Sequence, residues 1–377
     1  MNSLSRSDHS TRALISLSAF RNNFGAVRSY VGPDVKIMAI VKANAYGHGA
    51  VRIASEADAL GADYLGVARV EEGVELRENG ITQRILVFEV VPPGMEVHAL
   101  TLGLDLTIAG TEGAQRIDRA AAGLRTKAIV HAKVDTGMGR LGIDYRNAPA
   151  FIEAAARLPN LRLEGVYSHF ATSDSADKQF ASEQLQRFHQ VLEALEKRKI
   201  PAGLRHMANS GAIISLHDSC LDMVRPGIML YGYPPRREMG GQHALQPVLS
   251  LVSSLAFLKT VDGGESISYG RKYFTKGKTV IGTVPVGYAD GYVRTLTGKA
   301  CVLIRARRYP VVGTICMDHS MVDLGPDPEA QEGDEVILVG SSAQETVDAW
   351  ELADHIGTIP YEITSLITGR VPRVYAD

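Results

Sequence analysis

The sequence predicts an α/β protein, a (β/α)8 TIM-type barrel followed by a second, mainly β domain. Eight short apolar runs alternate with amphipathic stretches through the first part of the chain. Beyond Leu245 that alternation gives way to short β-rich runs set apart by Gly, Pro and Asp. The length of 377 residues agrees, since at about 100–200 residues per domain it is too great for one small module.

The strand candidates, in order, are Ile37–Val41, Tyr64–Ala68, Ile85–Phe88, Leu104–Ile108, Ala128–Val134, Leu163–Ser168, Leu204–Met207 and Met223–Leu230. Helix-like segments fall between them at Val51–Leu60, Val70–Glu78, Glu112–Ala122, Ala148–Arg157 and Lys178–Lys199. Strand-helix repetition of this kind is the pattern of a parallel sheet closed by right-handed crossovers. The later β-rich runs are Val248–Leu258, Val280–Val286, Cys301–Ile304, Val311–Thr314 and Glu335–Val339, with one helix-like stretch at Val347–Ile356. Residues 1–11 are read as an N-terminal segment, 12–240 as the barrel and 241–377 as the β domain. Tyr233–Gln246, with Pro234, Pro235, Gly240 and Gly241, is the expected linker.

Composition excludes several classes. Apolar residues at 45% and charged residues at 22% are ordinary globular usage, which rules out a fibre or a disordered chain. Lys+Arg 40 against Asp+Glu 42 leaves a net charge of -2, so neither nucleic acid nor an anionic membrane is an expected partner, and a small molecule is. Cys220, Cys301 and Cys316 form an odd, scattered set without C-x-x-C, which disfavours a disulfide framework or a metal site and fits a reducing cytoplasm. No export signal and no run of about 18 apolar residues is seen.

Lys42 ends the first strand candidate and precedes a small-residue loop running to Gly49. Strand C-terminal ends face the active site of a barrel, where partial desolvation lowers a lysine's pKa and makes the nucleophilic amine that a Schiff base requires. Taken alone, a lysine that merely ends a strand is the more ordinary reading. The stretch from His131 to Gly142 contains a formal G-x-G-x-x-G, but it follows the fifth strand, encloses Arg140 and does not open a helix, all against a dinucleotide site. Lys133 within it reads from periodicity as a site residue or a structural ion-pair partner. In the eighth run, Arg225 and Gly227 lie where barrels often bind phosphate, and Asn209-Ser210-Gly211 after the seventh strand adds a hydroxyl and amides. His169, Tyr269, Tyr288, Cys316 and Tyr361 are turn-bounded positions that are weak signals singly.

Taken in order, V-K-A-N-A-Y-G-H-G, H-A-K-V-D-T-G-M-G-R-L-G, H-F-A, A-N-S, R-P-G-I-M-L-Y-G, S-Y-G, G-Y-A-D-G, I-C-M-D and I-P-Y-E form a colinear set across nearly the whole chain. The set resembles the alanine racemase family, pyridoxal-phosphate enzymes whose barrel is followed by a β domain. Spacing supplies the architecture; the resemblance supplies the substrate. It implies a racemase that interconverts L-alanine and D-alanine through a pyridoxal 5'-phosphate external aldimine by a two-base mechanism.

On that resemblance Lys42 carries the cofactor, while Tyr46, Ser210, Tyr361 and the backbone of Gly227 and Ile228 hold its phosphate. Arg225 faces the ring nitrogen, buttressed by His169. Lys42 and Tyr269 are the bases on opposite faces, with ordinary pKa values of about 10.4 and about 10, so neither dominates intrinsically. The Arg140 charge is expected to bring Tyr269 toward working pH, and the site to do so for Lys42. Arg140 and Met317 receive the substrate, and Lys133 is a candidate for carbamylation, which would make it an anion able to orient Arg140. The resemblance also implies a cytoplasmic homodimer in which Tyr269 and Met317 serve the opposite subunit's site, and a product that feeds peptidoglycan synthesis.

Two positions depart from the family. Ser16 stands where an acidic residue is common, bearing on domain packing, and Pro360 stands where a polar residue is frequent, near the substrate entrance. Two rival readings share the cofactor. A non-enzymatic pyridoxal-phosphate carrier lacks a second domain, and a decarboxylase of the same architecture would place a carboxylate where Arg225 stands.

Overall fold

The computed structural model describes residues 9–239, 243–343 and 345–377. By contacts the chain divides into two compact units, one formed by residues 21–45 and 50–246, the other by the N-terminal residues through 20, by 46–49 and by 247–377. The expected boundary between 240 and 241, and most of the expected segment 1–11, lie outside the described residues.

The first unit is a closed parallel barrel. Its strands are β1 (Lys36–Ile40), β2 (Tyr64–Val67), β3 (Ile85–Val90), β4 (Asp105–Ile108), β5 (Ala128–Asp135), β6 (Leu161–Tyr167), β7 (Leu204–His206) and β8 (Met223–Val224). Each pairs in parallel with the next in chain order, and β8 returns to β1 through Met223 opposite Lys36. Between β7 and β8 closure rests on an isolated bridge, Asn209 to Arg225, with the Arg225 amide donating to Ala208 O at 2.9 Å. The crossovers carry helices Ala50–Ala59, Val70–Glu78, Glu96–Thr101, Thr111–Leu124, Ala148–Ala156, Gln179–Lys197 and Ser210–Ser215.

The eighth strand is far shorter than Met223–Leu230. Pro226 has no N–H to carry the ladder on, so the strand ends at Val224, with Pro226 O still accepting from the Ile40 amide at 3.2 Å, and Ile228–Tyr231 forms a 3-10 turn. The Tyr231 hydroxyl then donates to Ile40 O at 2.7 Å, tying that turn to β1. Helix Leu17–Val31, which went unread in the sequence, carries the buried Asn23, whose amide donates to Leu230 O and Gln246 O at 3.1 and 2.8 Å.

The second unit is built on a ten-stranded sheet. Its order is Phe257–Val261, Thr279–Val284, Ser320–Asp323, Arg307–Val312, Cys301–Ile304, Glu335–Ser342, Leu249–Ser254, Arg12–Ser16 and Arg373–Ala376, with Glu345–Val347 hairpinned onto Glu335–Ser342. Arg12–Ser16, expected with the barrel, belongs here instead. It pairs antiparallel with Leu249–Ser254 and parallel with Arg373–Ala376, and it buries Ala13 and Ile15 on one face. A half-buried strand of period 2 suits this sheet, whereas barrel strands are covered on both faces. Val248–Leu258 breaks into two strands, and the run expected at Val311–Thr314 begins earlier and ends before Gly313, whose φ of +66° suits glycine. Ser16 accepts from the Ala19 amide at 3.1 Å, a cap for the helix that follows, and Pro360 opens helix Pro360–Ser365, where its missing N–H costs nothing.

Among the described residues no helix is long and apolar enough to cross a membrane, and no group of three His, Cys, Asp or Glu side chains is placed to hold a metal.

Candidate active site

Lys42 follows β1 at the C-terminal end of the barrel, half-buried. Burial, and after it the Arg140 charge, lower its pKa from the usual lysine value, with Arg225 adding to them and Glu72 and Glu89 opposing. The backbone beyond it is unusual. Ala43, Asn44, Ala45 and Tyr46 all have φ between 52° and 54°, one left-handed turn made without glycine. Left-handed residues with a Cβ cost roughly 1–2 kcal/mol each, so neighbours must hold the turn. Glu72 accepts from the Ala43 amide at 2.6 Å, and the Asn44 side chain accepts from the Ala50 amide at 2.8 Å.

Lys133 projects from β5 with 5% of its surface exposed. Its ammonium lies 4.6 Å from the Tyr167 ring centroid, and no carboxylate among the described residues pairs with it, so the structural ion-pair reading is not met. Burial first, then Arg225 and Arg140, push its pKa well below the usual range. The exposed glycine-rich loop after β5 folds back on Asp135. Asp135 accepts from the Gly137 amide at 2.8 Å and the Gly139 amide at 3.1 Å, so these amides are taken and offer no phosphate cradle.

Arg225 is 4% exposed and strongly held. Its Nη2 donates to Ser168 O at 2.7 Å, to Met207 O at 3.2 Å and to His169 Nδ1 at 3.2 Å, and Nη1 donates to His206 Nδ1 at 2.9 Å. Burial lowers its pKa to about 10, which still leaves it cationic at neutral pH. His169 and His206 are driven well below the usual histidine value by burial and then by the Arg225 charge, so both rings are neutral. Ser210, at the start of its helix, accepts from the Gly227 amide at 3.0 Å and the Met229 amide at 3.5 Å, and Ile228 is fully buried beside them.

The second unit holds the other expected residues. The rings of Tyr46 and Tyr361 lie 5.9 Å apart. Gly47, with φ of +87°, lets the chain pass Thr364, whose carbonyl oxygen would lie 2.0 Å from any Cβ. Tyr269 is 72% exposed, and its backbone is fixed by Thr314, whose hydroxyl donates to Tyr269 O at 2.8 Å. Ser268 donates to Thr314 O at 2.6 Å and lies 3.4 Å from Cys316 Sγ. Met317 is 53% exposed, and its carbonyl receives the Ala289 amide at 3.1 Å, so the Gly287–Gly291 turn braces that loop.

Sequence reasoning passed over Ser168, His206, His131 and Tyr167. One signal was available, because His131, Lys133 and Asp135 are polar at alternate positions of β5 and so share a face of a barrel strand.

A lysine of lowered basicity at the C-terminal end of a parallel barrel, within the field of a buried and many-times-bonded arginine, is an arrangement of the barrel-enzyme class. The comparisons narrow the class. A family model described as the N-terminal domain of alanine racemase matches residues 15–235, and one for its C-terminal domain matches residues 248–375. An alanine racemase of Desulfovibrio desulfuricans is 45% identical over 98% of this chain and 99% of its own length. One from Halothermothrix orenii is 43% identical over 97% of each. Among solved structures, alanine racemase of Clostridium difficile superposes with a TM-score of 0.92 at 39% identity, covering 97% of this chain and 96% of that one. The Bacillus anthracis enzyme with bound L-Ala-P gives 0.93 at 36%, covering 98% and 95%. The chain belongs to the alanine racemase family and is an isomerase.

Proposed function

We propose that this protein racemises alanine with pyridoxal 5'-phosphate, as a cytoplasmic homodimer whose D-alanine feeds peptidoglycan synthesis. The observation that carries the reading is Lys42, an amine of lowered pKa held on a strained turn at the C-terminal end of β1. The donor set fits the cofactor. The four Arg225 bonds engage at most three of its five N–H groups, leaving one on Nη1 and one on Nε for a ring nitrogen. The Ser210 hydroxyl and the buried Ile228 amide suit a phosphate, a task assigned also to Tyr46 and Tyr361; the Gly227 amide beside them donates to Ser210 Oγ and would have to turn to the anion.

When bound, the cofactor supplies an electron sink that acidifies the α-carbon of an attached amino acid. Lys42 Nζ carries the link to it and then takes or returns a proton on one face. Tyr269 Oη, from the partner subunit, does so on the other; its exposed ring, like Met317 nearby, suits coverage by a second copy. Arg225, an obligate donor, does not surrender a proton, which limits charge delocalisation and side reactions such as transamination. Arg140 and Met317 receive the substrate carboxylate. Lys133, buried and without a carboxylate partner among the described residues, is favoured as a neutral amine and so as the carbamylation site.

A chiral assay against L- and D-amino acids, with and without added cofactor, tests the reading. The expected result is equilibration of alanine that requires cofactor, with a yellow, borohydride-sensitive chromophore absent from Lys42→Ala. Protein that neither takes up the cofactor nor equilibrates alanine overturns it.

A further inference from the structure

The interior of this barrel holds a polar column where barrels of this class usually stack branched apolar side chains. It starts at the N-terminal end. Arg84, just before β3, donates from Nη1 to Glu164 Oε1 at 2.5 Å and from Nη2 to Asp105 Oδ2 at 2.7 Å. His131 on β5 has Nε2 3.8 Å from that same Asp105 oxygen. Its Nδ1 lies 3.0 Å from His206 Nε2 on β7, and His206 Nδ1 lies 2.9 Å from Arg225 Nη1. Both histidines are 0% exposed.

Arginine only donates, and that single fact sets every proton in the column. His206 Nδ1 must accept from Arg225, so a neutral His206 carries its hydrogen on Nε2. That hydrogen points at His131 Nδ1, which must accept in turn, so His131 also carries its hydrogen on Nε2, on the side of Asp105 but beyond hydrogen-bond reach of it. Reversing either ring would set N–H against N–H at 3 Å or leave a buried hydrogen bond unmade, at a cost of about 1–3 kcal/mol. The rings cannot tilt away. His206 stacks on Tyr167 with centroids 4.8 Å apart and planes 4° apart, and His131 meets Tyr64 edge-on at 5.9 Å. A register shift in the β5–β6 pairing places Gly165 opposite His131, and a Cβ there would lie 2.6 Å from His131 Nδ1, so the missing side chain makes the room the accepting nitrogen needs.

We propose that His206 and His131 are positioning residues that form a one-way hydrogen-bonded column, running from Arg225 through His206 to His131, which fixes the rotation of the Arg225 guanidinium. The column leaves Arg225 with a single orientation of its remaining N–H groups. His131 thereby acts on the site through two intervening side chains. The value of that orientation for catalysis rests on the reading of Arg225 as the donor to the cofactor ring; the tautomers do not.

The test has two parts. Ring 15N spectra of the full chain, recorded without cofactor and then with pyridoxal 5'-phosphate added, should show Nε2–H and bare Nδ1 on both His131 and His206 at neutral pH. A proton on Nδ1 of either ring, or a doubly protonated His206, overturns the proposal, even if the protein proves not to bind the cofactor. In the holoenzyme, His131→Leu should lower kcat at least tenfold with KM for alanine unchanged, while His131→Gln, whose amide can accept from His206 and donate toward Asp105, should stay within about threefold. Equal losses in both variants, or none in His131→Leu, also overturn it. If His131→Leu does not fold, His131→Gln and the tautomer spectra decide.

Discussion

The two units offer their chemistry in opposite ways. In the barrel, Lys133, His206 and Arg225 are buried, and Arg225 is tied by four hydrogen bonds from side chain to neighbour. In the β unit, Tyr269 and Met317 are fixed through their backbones while their side chains stand in solvent. Burial tunes charge, because a desolvated cation loses its proton more easily. The barrel thus supplies buried groups, and the β unit supplies exposed ones, which the proposed second copy would cover.

The largest expected effect breaks the barrel side of this comparison. Lys42→Ala should lower racemisation by more than about 10^4-fold, measured as alanine equilibration at saturating substrate. Mixed one to one with Tyr269→Ala and allowed to exchange subunits, it should recover about a quarter of the wild-type rate, because half the dimers are mixed and each has one whole site. No recovery after verified exchange would mean that Tyr269 does not serve its partner's site.

Next, Tyr269→Phe should reduce racemisation by roughly 10^2–10^4-fold in both directions, while D-alanine still exchanges its α-proton with solvent through Lys42. Equal exchange by both enantiomers would reverse the assignment of faces. A smaller effect concerns stability. Buried His206, facing Arg225, His131 and Lys133 with Tyr167 stacked on it, has a pKa depressed below 6.5 in the folded state. The unfolded chain binds one more proton there, so stability is present above about pH 6.5 and is lost as pH falls toward the folded value, by up to about 1.4 kcal/mol per pH unit. Urea unfolding at several pH values should show a shallower acid slope in His206→Gln; an unchanged slope would mean that the ring is protonated in the fold. Smallest of all, Ser16→Ala should cost about 1 kcal/mol through loss of the helix cap, read as a lower Tm with racemisation unchanged.

Much of this was legible in the residue order. The helix Val70–Glu78 and the strand Cys301–Ile304 have the expected bounds, because periodicity and turn residues mark them locally. Arg12–Ser16 was misplaced because one amphipathic pentapeptide reads alike in either domain, and its partners lie more than 230 residues away. The eighth strand was overread because Ile228, Met229 and Leu230 are as apolar as a strand, although Pro226 forbids one.

The same division holds for the site. Composition, alternation and colinear motifs sufficed for the barrel with its β partner, the family and Lys42 at a strand end, since each depends on neighbours in sequence. Folding alone decided that Lys133 has no anionic partner among the described residues, that Asp135 occupies the glycine loop's amides, and that His131 and His206 line up beneath Arg225. Those facts depend on which strands close a ring and how far apart their side chains come to rest, and hydrogen bonds and desolvation respond to ångströms in space that spacing along the chain does not encode.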